Sequence, residues 1–199
     1  MSEKNSYHHG NLRESLISIA LEELEKTGLD ELSLRALADR LGVSKTAPYR
    51  HFATKRELLA SLAAEGYELF ANMLEEREEE VLALEGNDRV RRMYELYGEF
   101  ARTRPELYRL MFSRLGNSLH SERCRTNAER AFASLIRMSV SLLRPPDQDP
   151  RPAALSLFAS MHGWATLLMD DLIPPDTGVD WSNWQNFVQT LNINTTKSS

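Results

Sequence analysis

The stretch from Ser33 to Leu58 decides the fold of this chain, and it reads SLRALADRLGVSKTAPYRHFATKREL. Ser33 is a suitable N-cap, because its hydroxyl can accept a hydrogen bond from an amide of the first helical turn. Leucine and alanine then recur at helical spacing, and Gly42 can adopt the positive φ that ends a helix. Ser44 caps a second, short helix, and Thr54-Lys-Arg-Glu57 is a capping box for a third. We therefore predict a helix, a turn, a second helix and the start of a third.

The short second helix presents polar and basic side chains. From Gly42 to Arg56 the chain holds four basic residues and no acidic one. A recognition helix needs donors for base edges and phosphates, and the amides at its N-terminal end also favour an anion. Because helix-turn-helix geometry also occurs in proteins that never meet DNA, a helical hairpin with a solvated basic face is the alternative. The DNA-binding candidates are Ser44, Lys45, Thr46, Ala47, Tyr49, Arg50, His51 and Lys55.

This stretch resembles the DNA-binding domain of TetR/AcrR-family transcriptional regulators. The matching residues are Leu34-Arg35-Ala36-Leu37-Ala38, Leu41-Gly42-Val43-Ser44, Tyr49-Arg50-His51-Phe52, Lys55, Leu58 and Leu59. The runs Tyr7–Arg13 and Ala47–Phe52 are similar to a subgroup whose C-terminal domain is named WHG, after a Trp and a His-Gly pair. His162-Gly163 resembles that pair, but Phe158 stands where the Trp would fall. The resemblance implies an all-α regulator that binds DNA.

The composition is typical of a globular helical protein. Of 199 residues, 42% are hydrophobic and 27% are charged, which leaves enough apolar chain for a core. Strand-like alternation is absent, so we predict an all-α fold. The formal net charge is −5, yet residues 1–57 hold nine basic and nine acidic residues. The acidic excess therefore lies in the rest of the chain, and DNA binding by the basic turn should be sensitive to salt.

Other classes of protein find little support in the sequence. Cys124 is the single cysteine, which excludes an internal disulfide and favours a cytoplasmic location. We find no signal peptide and no run near the ~20 apolar residues of a membrane helix. His8-His9 lacks further ligands nearby, so no metal site is expected. An enzyme pairing His162 with Asp170 or Asp171 would need to span about 12 Å along one helix, so we expect no catalytic residues and no cofactor.

Breaks at glycine, proline and polar clusters predict about nine helices in all. Helix 1 should cover about 11–27. Helix 4 should run from the Thr54 cap to about residue 84, with its acidic later turns as a solvated face. Helix 8 is predicted from Pro150 to about residue 172, and a last helix from about 181 to 191.

Helix 8 is apolar on more than one side and must therefore be buried on more than one side. The last helix adds an apolar stripe with two tryptophans. Helices 8 and 9 of two chains would form a four-helix dimer interface, which the family resemblance also implies; the alternative is a central helix in a monomeric bundle. Two-fold symmetry would place two recognition helices in successive major grooves. The interface candidates are Leu157, Trp164, Leu168, Trp184, Phe187 and Val188.

A second set of residues suggests a pocket for a small apolar or amphipathic effector, because these side chains are large, adaptable and carry few polar tips. Packing in the core is the alternative for each of them, and His162 is either a donor to a ligand or a core histidine with an internal partner. Gly163, in the middle of a helix, suggests close helix packing or ligand contact there. The candidates are Tyr94, Tyr97, Phe100, Met111, Phe112, Phe132, Phe158, Met161 and His162.

Taken together, these features predict a one-component transcriptional regulator. We divide the chain into a helix-turn-helix domain at 1–57, with its motif at about 33–52, and a ligand-binding and dimerisation domain at 58–199. We expect a repressor that binds a palindromic operator as a homodimer and is released by a small-molecule inducer. The alternatives are a helical protein that acts through a protein partner and a transcriptional activator.

Overall fold

The computed structural model describes residues 12–113, 121–140, 142, 149–181 and 183. Within these residues the chain forms seven α-helices, two short 3-10 helices and no strand, which confirms the all-α prediction. The α-helices are α1 (Leu12–Glu31), α2 (Leu34–Leu41), α3 (Lys55–Leu82), α4 (Gly86–Thr103), α5 (Pro105–Phe112), α6 (Glu122–Ser139) and α7 (Arg151–Met169). The 3-10 helices are Pro48–Arg50 and Pro175–Thr177. None of the helices in this part of the chain is long and apolar enough to cross a bilayer.

The seven α-helices of the described residues compare with about nine that the sequence predicted, and two predicted helices account for the difference. The predicted second helix is a turn followed by the 3-10 helix Pro48–Arg50. The predicted last helix, 181–191, lies almost wholly outside the described residues. Gly28 takes a φ of 78° inside α1, so the regular part of that helix ends where the sequence predicted it.

The chain divides into two compact units. The first unit is Met1–Gly66 with Glu106–Cys124, and the second is Tyr67–Pro105 with Arg125–Ser199. This grouping differs from the predicted division at residue 57, because α5 belongs with the N-terminal helices and α3 contributes residues to both units.

The first unit has a leucine-rich core. The fully buried side chains in it include Leu16 and Leu24 of α1, Leu37 of α2 and Leu58 of α3. Phe52 is 1% exposed, so the aromatic residue at the end of the helix-turn-helix motif belongs to this core. Burying such side chains contributes about 1.5–3 kcal/mol each, which makes the motif a rigid part of this unit.

In the second unit, α4 packs against α7 at a glycine. A Cβ atom added at Gly98 would lie 2.8 Å from the Trp164 ring, so only glycine lets these helices approach so closely. Tyr94 is fully buried and meets the Trp164 ring edge to face at 5.8 Å. The indole in turn contacts Trp181 at 5.3 Å.

Polar contacts join α3 to α6 within the same unit, and they correct one expectation. The guanidinium of Arg130 donates to Glu75 from Nε at 3.1 Å, and Arg137 Nη2 donates to Glu78 at 2.6 Å. Glu76 is exposed, as predicted for the acidic run. The run is therefore solvated on one side only, because its other side is paired with arginines.

Candidate nucleic-acid interface

The first helix of the motif forms as its caps predict. The Ser33 hydroxyl accepts the amide of Ala36 at 3.2 Å, and Gly42 ends α2 with a left-handed φ of 66°. The third helix starts at the capping box, where Thr54 Oγ1 accepts the amide of Glu57 at 3.2 Å and the Glu57 carboxylate accepts the amide of Ala53 at 2.8 Å. Local hydrogen bonds thus fix the two helices that flank the second element of the motif, α2 before it and α3 after it.

The second element of the motif is not an α-helix, and Pro48 supplies the reason. In an α-helix capped by Ser44, the first hydrogen bond to the Ser44 carbonyl would come from residue 48, where proline has no N–H. The Ser44 carbonyl instead accepts the amide of Ala47 at 2.9 Å. The chain continues as a 3-10 turn, in which the His51 amide donates to the Pro48 carbonyl at 2.9 Å. The predicted second helix is therefore a turn followed by a 3-10 helix that begins at Pro48.

Most of the predicted DNA-binding side chains share one exposed surface, which we call the recognition turn (residues 44–51). Ser44, Lys45, Thr46, Tyr49, Arg50 and His51 are exposed, and Ala47 is half-buried. Tyr49 is 44% exposed although it is large and aromatic, which leaves its ring available to a partner. Pro48, the residue before it, is buried and anchors the turn.

The recognition turn carries little acidic charge. Lys45 Nζ lies 3.9 Å from the Asp39 carboxylate, and both side chains are more than 60% exposed, so water screens this pair strongly. The hydroxyls of Ser44 and Thr46 lie 3.2 Å apart. The turn can therefore offer cationic, hydroxyl and aromatic groups to DNA at little cost.

Lys55 lies next to the turn, but its role differs from the prediction. Its Nζ donates to the backbone carbonyls of Leu29 at 2.7 Å and Asp30 at 3.0 Å. These carbonyls belong to the end of α1, where a cation also interacts favourably with the helix dipole. The ammonium group thus holds α3 to α1, and we remove Lys55 from the DNA-binding candidates.

Two further arginines stabilise the motif, and the sequence alone gave them no role. Arg13 donates to the Ser61 hydroxyl at 3.0 Å and lies over the Phe52 ring, 5.2 Å from its centroid. Arg40 pairs with the carboxylate of Glu23 and so ties α2 to α1. Their partners are distant in sequence, so no local pattern could identify them.

In the second unit, four of the nine pocket candidates form a chain of ring contacts. The Tyr97 hydroxyl lies 3.0 Å from His162 Nδ1, and Phe158 stacks on His162 with centroids 6.0 Å apart. Phe132 reaches Phe158 at 6.4 Å. Burial lowers the pKa of His162, which favours the neutral imidazole. We call these four residues the aromatic cluster.

The other five pocket candidates do not belong to the aromatic cluster. Tyr94 hydrogen-bonds Ser160 at 2.6 Å, and burial raises the pKa of this tyrosine. Met161 is fully buried, and Phe100 packs on Phe70 at 5.0 Å. Met111 and Phe112 belong to the first unit. Gly163 has no atom of the described residues within 4 Å of its added Cβ position. Of the two explanations offered for this glycine, close helix packing is therefore not seen there within the described chain, and it occurs at Gly98.

A cleft of about 190 Å³ opens in the second unit between α3 and α4. Its lining residues are Leu69, Met73, Arg77, Leu96, Glu99, Phe100, Thr103 and Arg104. Of these only Phe100 was a pocket candidate. The signal that could have revealed the cleft is the i, i+4, i+8 spacing of Leu69, Met73 and Arg77, which places them on one side of α3.

The dimer candidates require a correction. Leu157, Trp164 and Leu168 are 5%, 3% and 7% exposed within a single chain, because they form the face of α7 that packs toward α4. They add almost no surface to a partner. The exposed large apolar residues of α7 are Leu155 and Leu167, at 56% and 44%. Trp184, Phe187 and Val188 lie outside the described residues.

No cluster of three or more metal-ligating side chains occurs among the described residues. Cys124 is buried, and this burial raises the pKa of its thiol. The thiol is therefore held in its less reactive protonated form.

Comparison with known proteins supports the assignment made from the motif. Residues 16–62 match the model of bacterial regulatory proteins of the tetR family, and residues 90–182 match the tetracyclin repressor-like C-terminal domain. The class D tetracycline repressor of Escherichia coli is 49% identical over 53 residues, 27% of this chain. That match spans about a quarter (24%) of the repressor's own length. The resemblance to the WHG subgroup stays a prediction.

Solved structures match over nearly the whole chain. A protein of unknown function from Rhodococcus sp. RHA1 is 31% identical, with a TM-score of 0.70 and coverage of 94% of this chain and 98% of that one. A TetR/AcrR-family regulator from Thermobifida fusca YX-ER1 has a TM-score of 0.58 at 21% identity, with coverage of 93% and 98%. At that identity the likeness shows the fold alone.

Proposed function

The chain belongs to the TetR family of bacterial regulatory proteins, and we propose that it is a transcriptional regulator that binds operator DNA through the recognition turn. The observation that carries this proposal is the exposed set of cationic, hydroxyl and aromatic side chains on a turn whose two ends are capped and whose proline is buried. Such a surface is preorganised, so little conformational entropy is lost when it enters a major groove.

Within the turn we assign different roles to different side chains. Lys45, Thr46 and Tyr49 are proposed to contact base edges, thymine methyl groups and neighbouring phosphates. Arg50 and His51 are proposed to hold phosphates and so set the position of the turn along the duplex. Ala47, which is half-buried, would contribute only a methyl contact.

We propose that the regulator acts as a homodimer on a palindromic operator. The interface would form on the outer row of α7, where Leu155, Ala159, Gly163 and Leu167 follow one another at four-residue spacing. The space above Gly163 is open among the described residues, so a second copy of α7 can approach closely there. Two-fold symmetry then places two recognition turns in successive major grooves, about 34–36 Å apart.

We also propose that an apolar or amphipathic effector binds the second unit beside the aromatic cluster and releases the DNA, which makes the protein a repressor. His162 and the Tyr97 hydroxyl provide the polar groups that would orient such a molecule among apolar rings. The effector needs only a higher affinity for the conformer that does not fit the operator.

Selection of binding sites from a random duplex pool, with the purified protein in low salt, tests the proposed function. We expect an inverted repeat, with half-sites separated by about one helical turn. If a folded dimer recovers no motif, the recognition turn does not read DNA and the family's activity has been lost or altered in this chain.

A further inference from the structure

We propose that the cleft between α3 and α4 binds a small organic anion, a carboxylate carried on a short apolar chain. This site is separate from the aromatic cluster and does not depend on the proposed DNA binding. All eight lining residues lie in the second unit, between Leu69 and Arg104.

The floor of the cleft is apolar. Leu69 and Met73 of α3 are half-buried, while Leu96 and Phe100 of α4 are 1% and 4% exposed and lie beneath. A volume of about 190 Å³ is below the range of roughly 300–1,000 Å³ that holds drug-sized ligands. The occupant should therefore be small, and its apolar part should be short.

The charges that face the cleft favour an anion. Arg77 and Arg104 contribute two cations, and Glu99 contributes one carboxylate. The ion pair of Arg77 with Glu80 has an N–O distance of 3.6 Å, and both side chains are about half exposed, so this pair is weak. Arg104 makes no ion pair with any residue that the structure describes. A guanidinium can donate two parallel hydrogen bonds to a carboxylate.

Two features oppose an anion and limit its affinity. Glu99 repels a carboxylate, and the C-terminal end of α4 carries a partial negative charge. The Thr103 hydroxyl is also already donating to the Glu99 carbonyl at 2.7 Å. Binding must therefore combine the two arginines with contact between the apolar chain and the floor, and neither a bare anion nor an uncharged chain should suffice.

Calorimetric titration of octanoate into the full chain tests the proposal. Octanol, which lacks the carboxylate, and acetate, which lacks the apolar chain, are the comparison probes. We expect octanoate to bind at least tenfold more tightly than either. Arg104→Ala should weaken octanoate binding about tenfold, near the lower end of the loss for a charged hydrogen bond, because Arg104 is exposed. Arg102→Ala is the matched control, because Arg102 is exposed on the same helix but does not line the cleft, and it should leave the affinity unchanged.

Three results would overturn the proposal: no octanoate binding at millimolar concentration, equal binding of octanol, or equal losses in Arg102→Ala and Arg104→Ala. His162→Ala provides a further check. If His162→Ala abolishes octanoate binding while Arg104→Ala leaves it intact, the anion binds at the aromatic cluster and the cleft is not a binding site. Site selection from the random duplex pool uses the same protein, so loss of octanoate binding with DNA binding intact refutes only this inference.

Discussion

Glu25 caps α5 through Leu107, a residue 82 positions further along the chain: Glu25 Oε1 accepts the Leu107 amide at 3.0 Å. Its other oxygen accepts the Glu106 amide at 3.1 Å. Pro105 has no N–H to satisfy, so this one carboxylate serves the two amides that follow it. A negative charge at a helix N-terminus is stabilising, and the contact holds α5 to α1 within the first unit.

Replacing Glu25 with alanine should therefore destabilise the protein. We expect a loss of about 1–2 kcal/mol in the free energy of unfolding, as for the removal of an N-cap, and a smaller loss for Glu25→Gln, which keeps one acceptor. Urea denaturation at neutral pH measures both. Glu76→Ala, on the exposed side of α3, should change stability little, and equal losses in the two alanine variants would mean that Glu25 does not cap α5.

Lys55 and Arg50 should behave in opposite ways, although both are basic and lie near the recognition turn. Lys55→Ala removes two hydrogen bonds to the end of α1 and should cost about 1.5–3 kcal/mol of folding stability. Arg50→Ala should leave stability nearly unchanged. On DNA, Arg50→Ala should reduce the slope of log K against log salt by about one unit, the value for one phosphate contact.

Denaturation and binding titrations at several salt concentrations separate the two roles. A Lys55 variant with parental stability and a flatter salt slope would contradict the structure and return Lys55 to the phosphate contacts.

The proposed dimer interface predicts that one charge on the outer row of α7 separates the two chains. Leu167→Glu should give a monomer in light scattering after size exclusion, because an unpaired carboxylate would be buried between two copies. Leu82→Glu is the matched control, since Leu82 is 39% exposed near the end of α3, and it should remain dimeric. A Leu167→Glu dimer of parental stability would place the interface elsewhere.

Glu78 gives the protein a defined sensitivity to acid. The hydrogen bond from Arg137 is the main cause that lowers the pKa of Glu78, and Ser134 adds to it. Because its pKa is lower in the folded state than in the unfolded state, Glu78 stabilises the fold above the usual carboxyl pKa, and this contribution is lost as the pH falls through the lowered value.

Urea unfolding from pH 7 downward measures this contribution. Glu78→Gln should be less stable than the parent at pH 7 and should lose less stability on acidification. Glu76→Gln, two residues earlier on the exposed side of α3, should follow the parent. If the Glu78→Gln and parental curves stay parallel across the acid range, the ion pair contributes no pH dependence.

The sequence correctly predicted the helix ends that depend on hydrogen bonds between residues close together in the chain. Ser33 and Gly42 cap α2, and Thr54 starts α3, because each acts on amides or dihedrals within four residues. The difference at Pro48 also has a local cause, because its missing amide removes the first α-helical hydrogen bond and leaves a 3-10 turn. This could have been predicted from the position of the proline in the sequence but was not.

The features that the sequence did not predict depend on contacts between residues far apart in the chain. Lys55 was predicted to bind DNA because its true acceptors, the carbonyls of Leu29 and Asp30, lie about 25 residues earlier in the chain. Helix α7 is apolar on several sides, so its composition could not say which face turns inward. The close approach at Gly98 decides this, since it buries Trp164 within the chain and leaves Leu167 outside.

The measurement that tests the central claim most directly is the random-pool selection carried out in parallel with the parent and with Tyr49→Ala, both confirmed as folded dimers. If the recognition turn reads the bases, the parent will recover an inverted repeat. Tyr49→Ala will bind that repeat about tenfold more weakly and lose preference at one position of each half-site. The same repeat recovered by both, with equal affinity and equal preference at every position, would show that DNA is read by another part of the chain.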